Sequence, residues 1–451
     1  MGIPKHVFKS YDIRGLSPGE IDADAARLLG RAVVAYGGAK TVLVGRDMRA
    51  TTPELAAALI AGIMEQGADV VDMGLTTTPM FYFATATAEA DAGVMVTASH
   101  NPAQYNGFKL CRGDAGPIGA GSGMEEIRDA VLAGNFSDAA RQGSVREIAL
   151  RDAYIDKVLS LVPDAAQADM TVAVDTGNGM AGHVVPALFA KLPDVRLEAM
   201  YLELDGTFPN HEANPIKEET LADLKAAVKK HGAALGIAYD GDADRVGFVD
   251  DQGETIPGDL VAALVAPELL RQNPGGTVLS DVRCSRVVPE EVERAGGVHV
   301  MSRVGHAHIK RQMKELGAVF AGELSSHFYF RDFYGVECAD GVALILIDLI
   351  RRSGKPLSEL VRPLRRYAQS GEINFEIEDK AGAIARIRAA YAPGAAQIIE
   401  LDGIRIEHDD WWCSVRASNT EPVLRLNVEG KSREKMEQMR DAIAALIRGE
   451  Q

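Results

Sequence analysis

The chain has 451 residues, 47% of them hydrophobic and 25% charged, which is an ordinary globular composition. This length is too great for one core and predicts three or four domains of about 100–150 residues each. The formal net charge of −16 argues against nucleic acid binding along the surface, although it is compatible with a local basic pocket for an anionic substrate. The longest apolar run, residues 341–350, is interrupted by Asp348 and is far shorter than the about 20 residues that a membrane span needs.

Two further features predict a cytoplasmic protein. The N-terminal residues, MGIPKHVFKSYDIRG, lack the apolar stretch of a signal peptide. The cysteines form no CxxC pair, which argues against a zinc ribbon and against a disulfide framework. They are Cys111, Cys284, Cys338 and Cys413. Each predicted domain is long enough to bury its own core, so we expect a monomer or a weak dimer.

Short β-branched runs alternate with stretches rich in alanine and leucine along most of the chain. Residues 41–47 predict a buried strand, and residues 52–67 predict a helix with Thr52 as its N-cap and Pro53 at its first position. Further strands and helices are predicted over residues 68–74, 92–102, 170–182, 221–240, 276–282 and 306–323. Such alternation is typical of α/β layers with largely parallel sheets.

The sequence predicts four domains. Three similar mixed α/β domains occupy residues 1–147, 148–250 and 251–366. The rest of the chain, residues 367–451, has a different pattern, with an alternating strand, a helix, a hairpin and a closing helix. These elements are predicted at 371–379, 381–392, 402–420 and 435–450. The last domain is therefore expected to be a smaller C-terminal α+β domain.

Three aspartates, Asp240, Asp242 and Asp244, stand at alternate positions where an apolar run ends. Their mutual repulsion would be removed by one hard cation, and oxygen ligands suit Mg²⁺ or Ca²⁺ better than zinc. The loop is not an EF-hand, because its sixth position is Arg245, where the sharp turn needs glycine. Arg245 adds a positive charge to which a phosphate oxygen could bridge. The alternative interpretation is an acidic, solvated turn.

A second loop that ends a buried strand carries Ser99, His100 and Asn101. Pro102 blocks a following helix, and the absence of a GxSxG elbow disfavours an α/β-hydrolase. Serine is a weak nucleophile by itself, and a phosphoserine facing a metal would meet its need for activation. Lys109 would neutralise the transferring phosphoryl group or shuttle a proton. Taken alone, Ser99 is more simply a turn serine, and the aspartate loop is what favours the nucleophile.

Two polar loops are candidates for substrate binding. Glu323, Ser325 and His327 fall between apolar runs, and glutamate and serine at alternate positions can both face vicinal hydroxyls. The second loop has short donors between two arginines, which suits a phosphate monoester. Its candidates are Arg416, Ser418, Asn419, Thr420 and Arg425. The alternatives are a polar loop after a strand and a capped turn with surface arginines.

Three further residues give weaker signals. Arg14 lies in an N-terminal turn, Arg283 follows a strand and His306 precedes a helix. A lone histidine in such a place is more often structural than catalytic, so the pattern alone assigns none of these residues a role.

Together the motifs resemble the α-D-phosphohexomutase family, and most closely its bacterial phosphomannomutase/phosphoglucomutase branch. TASHNP is similar to the family's phosphoserine loop, DGDADR to its metal loop, GELSSH to its sugar-binding loop and RASNTEP to its phosphate-binding loop. The four loops occur in the family's order over essentially the whole chain. RASNTEP also indicates the branch, because phosphoglucosamine mutases typically have RPSGTEP there.

The resemblance implies four domains around one central cleft and a phosphorylated Ser99. It implies that Asp240, Asp242 and Asp244 hold Mg²⁺ together with the phosphoserine. The implied reaction interconverts hexose 6-phosphate and hexose 1-phosphate, with mannose or glucose as the sugar. It would pass through a hexose 1,6-bisphosphate, which would also act as an activator.

The resemblance also implies roles for the other candidates. Glu323 and Ser325 would bind sugar hydroxyls, and the five candidates of the phosphate loop would bind the phosphate that is not being transferred. Lys109 and His306 are candidates for general acid and base. The remaining expected site residues are Arg14 and Arg245, which are grouped with the catalytic residues, and Tyr11 and His327, which are grouped with the substrate-binding ones.

The chain departs from the family pattern at two positions. Ser326 stands where the sugar loop usually has glycine, which would alter the loop geometry or the sugar preference. Arg283 stands where this branch commonly has lysine. Because arginine effectively cannot lose its proton, we assign Arg283 to phosphate binding alone.

Three other functions are compatible with parts of the pattern. The first is phosphoglucosamine mutase. The second is a non-catalytic sugar-phosphate-binding paralogue, which would be expected to have a degraded serine or metal loop, although both loops are intact. The third is a metal-dependent phosphatase with Asp240 as the nucleophile, in which Asp240→Asn rather than Ser99→Ala would abolish covalent phosphate.

Overall fold

A computed structural model describes residues 3–137, 139–418 and 423–449. Four sheets follow one another along the chain, and each is built from strands of one continuous stretch of sequence. Short 3₁₀ helices lie at Lys5–Val7, Pro163–Gln167, Met180–His183, Glu218–Leu221, Arg331–Phe333 and Arg362–Leu364. The predicted fold class is confirmed.

The first sheet has the strand order β1-β5-β4-β2-β3-β6. Its strands are β1 (Ile13–Leu16), β2 (Thr41–Arg46), β3 (Asp69–Leu75), β4 (Ala92–Val96), β5 (Tyr105–Arg112) and β6 (Val145–Glu147). Its helices are α1 (Ala23–Gly37), α2 (Thr52–Glu65), α3 (Thr78–Thr87) and α4 (Met124–Ala133). Strands β2, β3, β4 and β6 are parallel, while β5 is antiparallel to β4 and to β1.

Helix α2 corrects one detail of the sequence analysis. It begins at Thr52, so its N-cap is Thr51 rather than Thr52. The Thr52 hydroxyl instead donates a hydrogen bond of 2.7 Å to Asp47 Oδ1 at the end of β2. A local cap pattern could not reveal this competing acceptor, which the fold brings to the start of the helix.

The second sheet has the order β11-β10-β9-β7-β8 and is parallel at β8, β7 and β9. Its strands are β7 (Met170–Asp175), β8 (Val195–Met200), β9 (Leu235–Tyr239), β10 (Val246–Asp250) and β11 (Thr255–Ile256). Its helices are α5 (Arg151–Leu161), α6 (Val185–Phe189) and α7 (Ala222–His231). Strand β10 runs antiparallel to β9, so the segment between them is a tight hairpin.

The third sheet has the order β13-β12-β14-β15-β16. Its strands are β12 (Thr277–Asp281), β13 (Val298–Ser302), β14 (Phe320–Gly322), β15 (Phe328–Phe330) and β16 (Val336–Glu337). Its helices are α8 (Gly258–Gln272), α9 (Val287–Arg294), α10 (His306–Leu316), α11 (Ala339–Ser353) and α12 (Leu357–Val361). The apolar run noted in the sequence is buried within α11, and no helix among the described residues is long and apolar enough to cross a membrane.

The fourth sheet is antiparallel throughout, in the order β17-β21-β20-β19-β18. Its strands are β17 (Ala368–Phe375), β18 (Gln397–Ile399), β19 (Ile404–Glu407), β20 (Trp411–Ala417) and β21 (Leu424–Gly430). Its helices are α13 (Lys380–Tyr391) and α14 (Arg433–Arg448). The antiparallel sheet with two helices is the α+β domain that the sequence predicts.

The apolar cores divide the molecule unequally. One continuous core includes side chains from the first three sheets, such as Phe81, Tyr154, Phe248 and Phe330. The fourth sheet packs against α13 and α14 around a separate core. The last domain is therefore joined to the others without sharing their main core. All four cysteines are buried and unpaired, as predicted.

Candidate active site

The three aspartates lie together on the hairpin between β9 and β10. Asp240, Asp242 and Asp244 are all buried, and one ligand oxygen from each lies within 4.8 Å of the others. The hairpin packs tightly against the serine loop, since a Cβ atom on Gly241 would lie 2.3 Å from the Ser99 carbonyl oxygen. Glycine is required at Gly241 for this close approach.

The three buried carboxylates of Asp240, Asp242 and Asp244 form a suitable site for a cation. Burial and the neighbouring Asp244 and Asp242 raise the pKa of Asp240 well above its ordinary value. Within the described residues, Asp242 Oδ1 is buried and accepts no hydrogen bond. An unsatisfied buried carboxylate oxygen is costly, and a divalent cation bound by the three carboxylates would satisfy it. Oxygen ligands of this kind are those of Mg²⁺ and Ca²⁺.

Ser99 faces this trio. Its side chain is buried and its Oγ donates a hydrogen bond of 2.7 Å to Asp240 Oδ2. Its backbone φ is +50°, a left-handed conformation that costs a serine about 1–3 kcal/mol and persists only where the surroundings enforce it. His100 Nδ1 lies 3.3 Å from the same hydroxyl.

The group that enforces the serine conformation is Arg49, which the sequence analysis did not identify. Its guanidinium donates to four backbone carbonyl oxygens of the serine loop. These belong to Ser99 at 2.8 Å, Asn101 at 2.6 Å, Pro102 at 2.9 Å and Tyr105 at 3.0 Å. Arg49 is only 1% exposed and pairs with Asp47 at 3.2 Å. Its place just after the parallel strand β2 was the signal that could have found it, since sites lie at the carboxyl ends of such strands.

Lys109, on β5, bridges the serine loop and the metal loop. Its Nζ lies 2.7 Å from Asp242 Oδ2 and contacts Asp244 Oδ2. Burial lowers the pKa of Lys109, but Asp242 and Asp244 outweigh it and raise the pKa above its ordinary value. Lys109 is therefore a cation here. Thr78, at the start of α3, also donates a hydrogen bond of 2.6 Å to Asp242 Oδ2, a second contact that the sequence analysis missed.

Arg14 and Tyr11 approach from the N-terminal segment. Arg14 donates to the Ala98 carbonyl at 3.1 Å and to Asn101 Oδ1 at 2.5 Å, next to the serine. Tyr11 donates to the Val304 carbonyl at 2.7 Å, in the third domain. Arg14 therefore lies beside Ser99, and Tyr11 lies beside His306, with their ring centroids 5.5 Å apart.

His327 connects the sugar loop to the metal loop. Its Nε2 lies 3.3 Å from Asp244 Oδ1 and 3.2 Å from Arg245 Nε, and its Nδ1 lies 3.2 Å from Glu323 Oε1. Burial lowers the pKa of His327, but the carboxylates on either side of the ring raise it to about 9. The three predicted residues Arg245, Glu323 and His327 thus form one cluster beside the aspartates, in which Glu323 and His327 are buried and Arg245 is partly exposed.

The sugar loop is a tight turn after β14. Ser325 Oγ lies 3.3 Å from Arg283 Nη2, and Glu323 is 1% exposed. Ser326 has a φ of +64°, the left-handed region that glycine adopts without cost. This conformation explains why glycine is usual there. The Ser326 side chain lies against Gly258 at the start of α8.

His306 is a neutral imidazole at the start of α10. Burial, Lys310 and Lys109 lower its pKa well below the ordinary value. Neither ring nitrogen has a hydrogen-bond partner among the described residues, and Nδ1 lies 3.7 Å from Glu337 Oε1. Its ring centroid lies 6.4 Å from that of His327, so it borders the same cluster.

The phosphate loop begins at the end of β20. Arg416 is only 2% exposed and Arg425 lies opposite it on β21. Ser418 follows β20, while the predicted Asn419 and Thr420 lie outside the described residues. Arg283 completes this group from the third domain, held by Asp281 through its Nε and Nη2 at 2.9 Å each.

Loops of the four sheets therefore lie side by side, linked by contacts from Glu372 through Arg283, Ser325 and His327 to Asp244. At one end are a serine and three metal-fitting carboxylates, and at the other are three arginines, with a polar turn between them. Such a site defines an enzyme that transfers phosphoryl groups on a small phosphorylated substrate.

Comparison with known proteins agrees with this assignment. Residues 5–138, 152–253 and 257–367 match the phosphoglucomutase/phosphomannomutase alpha/beta/alpha domains I, II and III, and residues 372–446 match the C-terminal domain of that family. The chain therefore belongs to the phosphoglucomutase/phosphomannomutase family, which confirms the resemblance seen in the sequence.

Individual relatives cover almost the whole chain. A phosphomannomutase of Salmonella montevideo is 41% identical over 434 residues, which is 94% of each chain. A phosphohexose mutase of Xanthomonas campestris pv. campestris is 39% identical and covers 98% of this chain and 99% of its own. A phosphoglucomutase/phosphomannomutase family protein of Burkholderia thailandensis has a TM-score of 0.89 at 33% identity, over 99% of this chain and 98% of its own. The chain is thus a phosphotransferase that interconverts hexose phosphates.

Proposed function

We propose that the enzyme interconverts the 6-phosphate and 1-phosphate of mannose or glucose, with Ser99 as the phosphoryl carrier. The observation that carries this proposal is the contact between Ser99 Oγ and Asp240 Oδ2, at 2.7 Å. It sets the serine of the predicted phosphoserine loop against the carboxylate trio. The names of the relatives from Salmonella and Xanthomonas support a hexose phosphate as the substrate.

The bound metal is proposed to be Mg²⁺, held by Asp240, Asp242 and Asp244 together with the phosphate on Ser99. When bound, it supplies positive charge to the transferring phosphoryl group. The chain's own residues orient that group. Arg49 fixes the serine backbone, and the Lys109 cation neutralises charge beside the trio.

Transfer requires two balanced steps. The bond between phosphorus and Ser99 Oγ breaks as a bond forms to a substrate hydroxyl, whose proton goes to a base. His306 is the proposed base, because its imidazole is neutral and neither ring nitrogen has a hydrogen-bond partner among the described residues. In the second step the resulting hexose 1,6-bisphosphate turns, and the bond between its other phosphorus and the sugar oxygen breaks as a bond forms to Ser99 Oγ. The sugar oxygen takes the proton back from the base. The same compound restores enzyme that has lost its phosphate.

The rest of the cleft recognises the sugar and the resting phosphate. Glu323 and Ser325 are proposed to bind sugar hydroxyls, with His327 and Tyr11 beside them. The resting phosphate is proposed to be bound by Arg283, Arg416, Ser418, Asn419, Thr420 and Arg425. Arg14 and Arg245 are proposed to bind the phosphoryl group in transfer.

Three broader proposals accompany this function. The domains are proposed to comprise residues 1–147, 148–250, 251–366 and 367–451. The chain is proposed to act as a monomer or weak dimer, which light scattering would test. A cytoplasmic location is supported by four buried cysteines that form no disulfide.

The deciding experiment measures mutase rates on mannose 1-phosphate, glucose 1-phosphate and glucosamine 1-phosphate with Mg²⁺ and catalytic bisphosphate. We expect fast turnover of the first two substrates and a loss of at least about 1000-fold in Ser99→Ala. Intact mass should show a fraction heavier by one phosphate, absent from that variant. Faster turnover of glucosamine 1-phosphate would overturn the substrate, and covalent phosphate that disappears only in Asp240→Asn would overturn the nucleophile.

A further inference from the structure

A carboxylate occupies the centre of the arginine group at the far end of the cleft. Glu372, on β17, places Oε2 at 3.0 Å from Arg416 Nη2 and at 3.4 Å from Arg283 Nη1. Its other oxygen, Oε1, lies 3.1 Å from Arg425 Nη1. One side chain thus contacts three guanidinium groups from two domains. Nothing in the sequence pattern marked Glu372 as a site residue.

The three arginines need an anion. Arg416 is almost fully buried, and burial and Arg283 lower its pKa. A buried cation without a counter-charge is strongly destabilising. Asp281 already pairs with two nitrogens of Arg283, so it does not neutralise Arg416 or Arg425. Asp402 adds negative charge near Arg416, but Glu372 is the carboxylate that contacts all three arginines.

Glu372 is ionised under ordinary conditions. Burial raises its pKa, but Arg283, Arg416 and Arg425 outweigh burial and lower the pKa below its ordinary value. A carboxylate that accepts from several guanidinium groups resembles a phosphate monoester in its hydrogen-bond geometry, although the phosphate carries more negative charge. The two anions therefore compete for the same donors.

We propose that Glu372 is the internal counter-anion of Arg283, Arg416 and Arg425, which together form a phosphate clamp. The phosphate of the substrate displaces the Glu372 carboxylate from these arginines on binding, and the carboxylate pairs with them again when the phosphate leaves. This inference rests on the proposed function, in which a bisphosphate must leave the clamp and present its other end. A clamp without such a carboxylate would hold phosphate more tightly and release it more slowly. Because one anion replaces the other, the three arginines keep a counter-charge while the bisphosphate reorients.

The attachment of the fourth domain does not depend on Glu372 alone. Arg405 Nη1 donates to the Val282 carbonyl at 2.7 Å and to the Cys284 carbonyl at 2.9 Å, on either side of Arg283. Asp402 Oδ2 also accepts from the Val304 backbone N–H at 3.1 Å. A neutral residue at Glu372 should therefore change the clamp while the domain stays in place.

The test is Glu372→Gln in a Ser99→Ala background, where binding is measured without chemistry. Calorimetric titration with glucose 1-phosphate, and with inorganic phosphate as a second probe, should give dissociation constants at least about fivefold lower than in the parent. Glu376→Gln, an exposed glutamate just beyond β17, is the matched control and should bind as the parent does. Glu372→Asp keeps the charge and should bind less tightly than Glu372→Gln.

With Ser99 restored, Glu372→Gln should lower both KM and kcat, because release becomes slower. A merely structural defect would lower kcat without lowering KM. Binding that is unchanged or weaker in Glu372→Gln would overturn the inference. The two proposals can fail separately. If Glu372→Gln binds phosphate more tightly but the unmutated enzyme has no mutase activity, the inference about the clamp stands and the proposed function is overturned.

Discussion

The two ends of the cleft are constructed differently. At the serine end, Arg49 ties four carbonyl oxygens of one loop, and Ser99 and Thr78 bond directly to aspartates of the next domain. At the arginine end, the fourth domain has its own core and Glu372 contacts three arginines at 3.0–3.4 Å. The contrast indicates that the serine loop is held in one geometry, while the arginine group, which we propose to bind the resting phosphate, is proposed to exchange its partner.

The largest effect on the mutase rate should come from Arg49→Lys, which removes hydrogen bonds that hold the serine loop. Lysine keeps the charge beside Asp47 but cannot donate to four carbonyls in a fixed fork. We expect kcat to fall about 100-fold, because a displacement of about 1 Å at a reacting atom has that effect. Mutase rate and unfolding temperature should be measured together.

Arg46→Lys is the matched control for this variant. Arg46 is the last residue of β2 and lies three residues before Arg49. It is only partly buried, and it pairs with Asp72 at 2.7 Å, outside the serine loop. Its rate should stay near that of the parent. Full activity in Arg49→Lys would contradict the view that this guanidinium fixes the serine backbone.

An intermediate effect concerns the pH dependence of stability in the second domain. His211 Nε2 lies 3.0 Å from Asp175 Oδ2 at the end of β7. This hydrogen bond raises the pKa of His211 to about 9, above the about 6.5 of an unfolded chain. The stabilisation is thus complete below pH about 6.5 and is lost as the pH rises through about 9.

Urea unfolding across that range should show the free energy of unfolding falling by about 1 kcal/mol, because the pair is partly exposed. In His211→Asn this part of the pH dependence should disappear. Identical slopes in the two proteins would rule out a contribution from this pair. The comparison tests whether this ion pair within the second domain contributes to the stability of the folded chain.

The smallest effect is expected between the two ends, at Ser326→Gly. Glycine removes the cost of the left-handed backbone but gives the unfolded chain more freedom, so the variant should be more stable by only about 0.5 kcal/mol. Thermal unfolding would measure this. Glu89→Gly, an exposed residue with a φ of 53°, is the control and should gain a similar amount. If only Ser326→Gly loses stability, the Ser326 side chain packs usefully against Gly258.

Much of this site was predictable because its motifs are local. Three aspartates at alternate positions and a serine after a buried strand can be recognised from the sequence alone. Parallel strands bring such loops to one edge of a sheet. The sequence analysis therefore named Ser99, Asp240, Asp242, Asp244 and Lys109, which the structure brings together. Helix and strand types were also predicted, apart from the N-cap of α2.

Other contacts were not predictable, because their partners are remote in sequence. Thr78 and Asp242 are separated by 164 residues, and Arg283 and Glu372 by 89. No local pattern distinguishes Glu372 from an ordinary surface charge, and for Arg49 the only local signal is its place just after the parallel strand β2. The contacts of these residues exist only after the sheets have packed.

The sequence by itself determined the family, the four-domain order and the chemical types of the cleft, because these depend on local patterns of apolar, acidic and glycine residues. The tertiary structure alone decided which charges face one another. It placed a buried lysine between two aspartates, left His306 neutral and gathered three arginines around Glu372. Burial strengthens the interactions between such charges and makes each unpaired one costly, so the protonation states and partners of these residues follow from packing rather than from sequence.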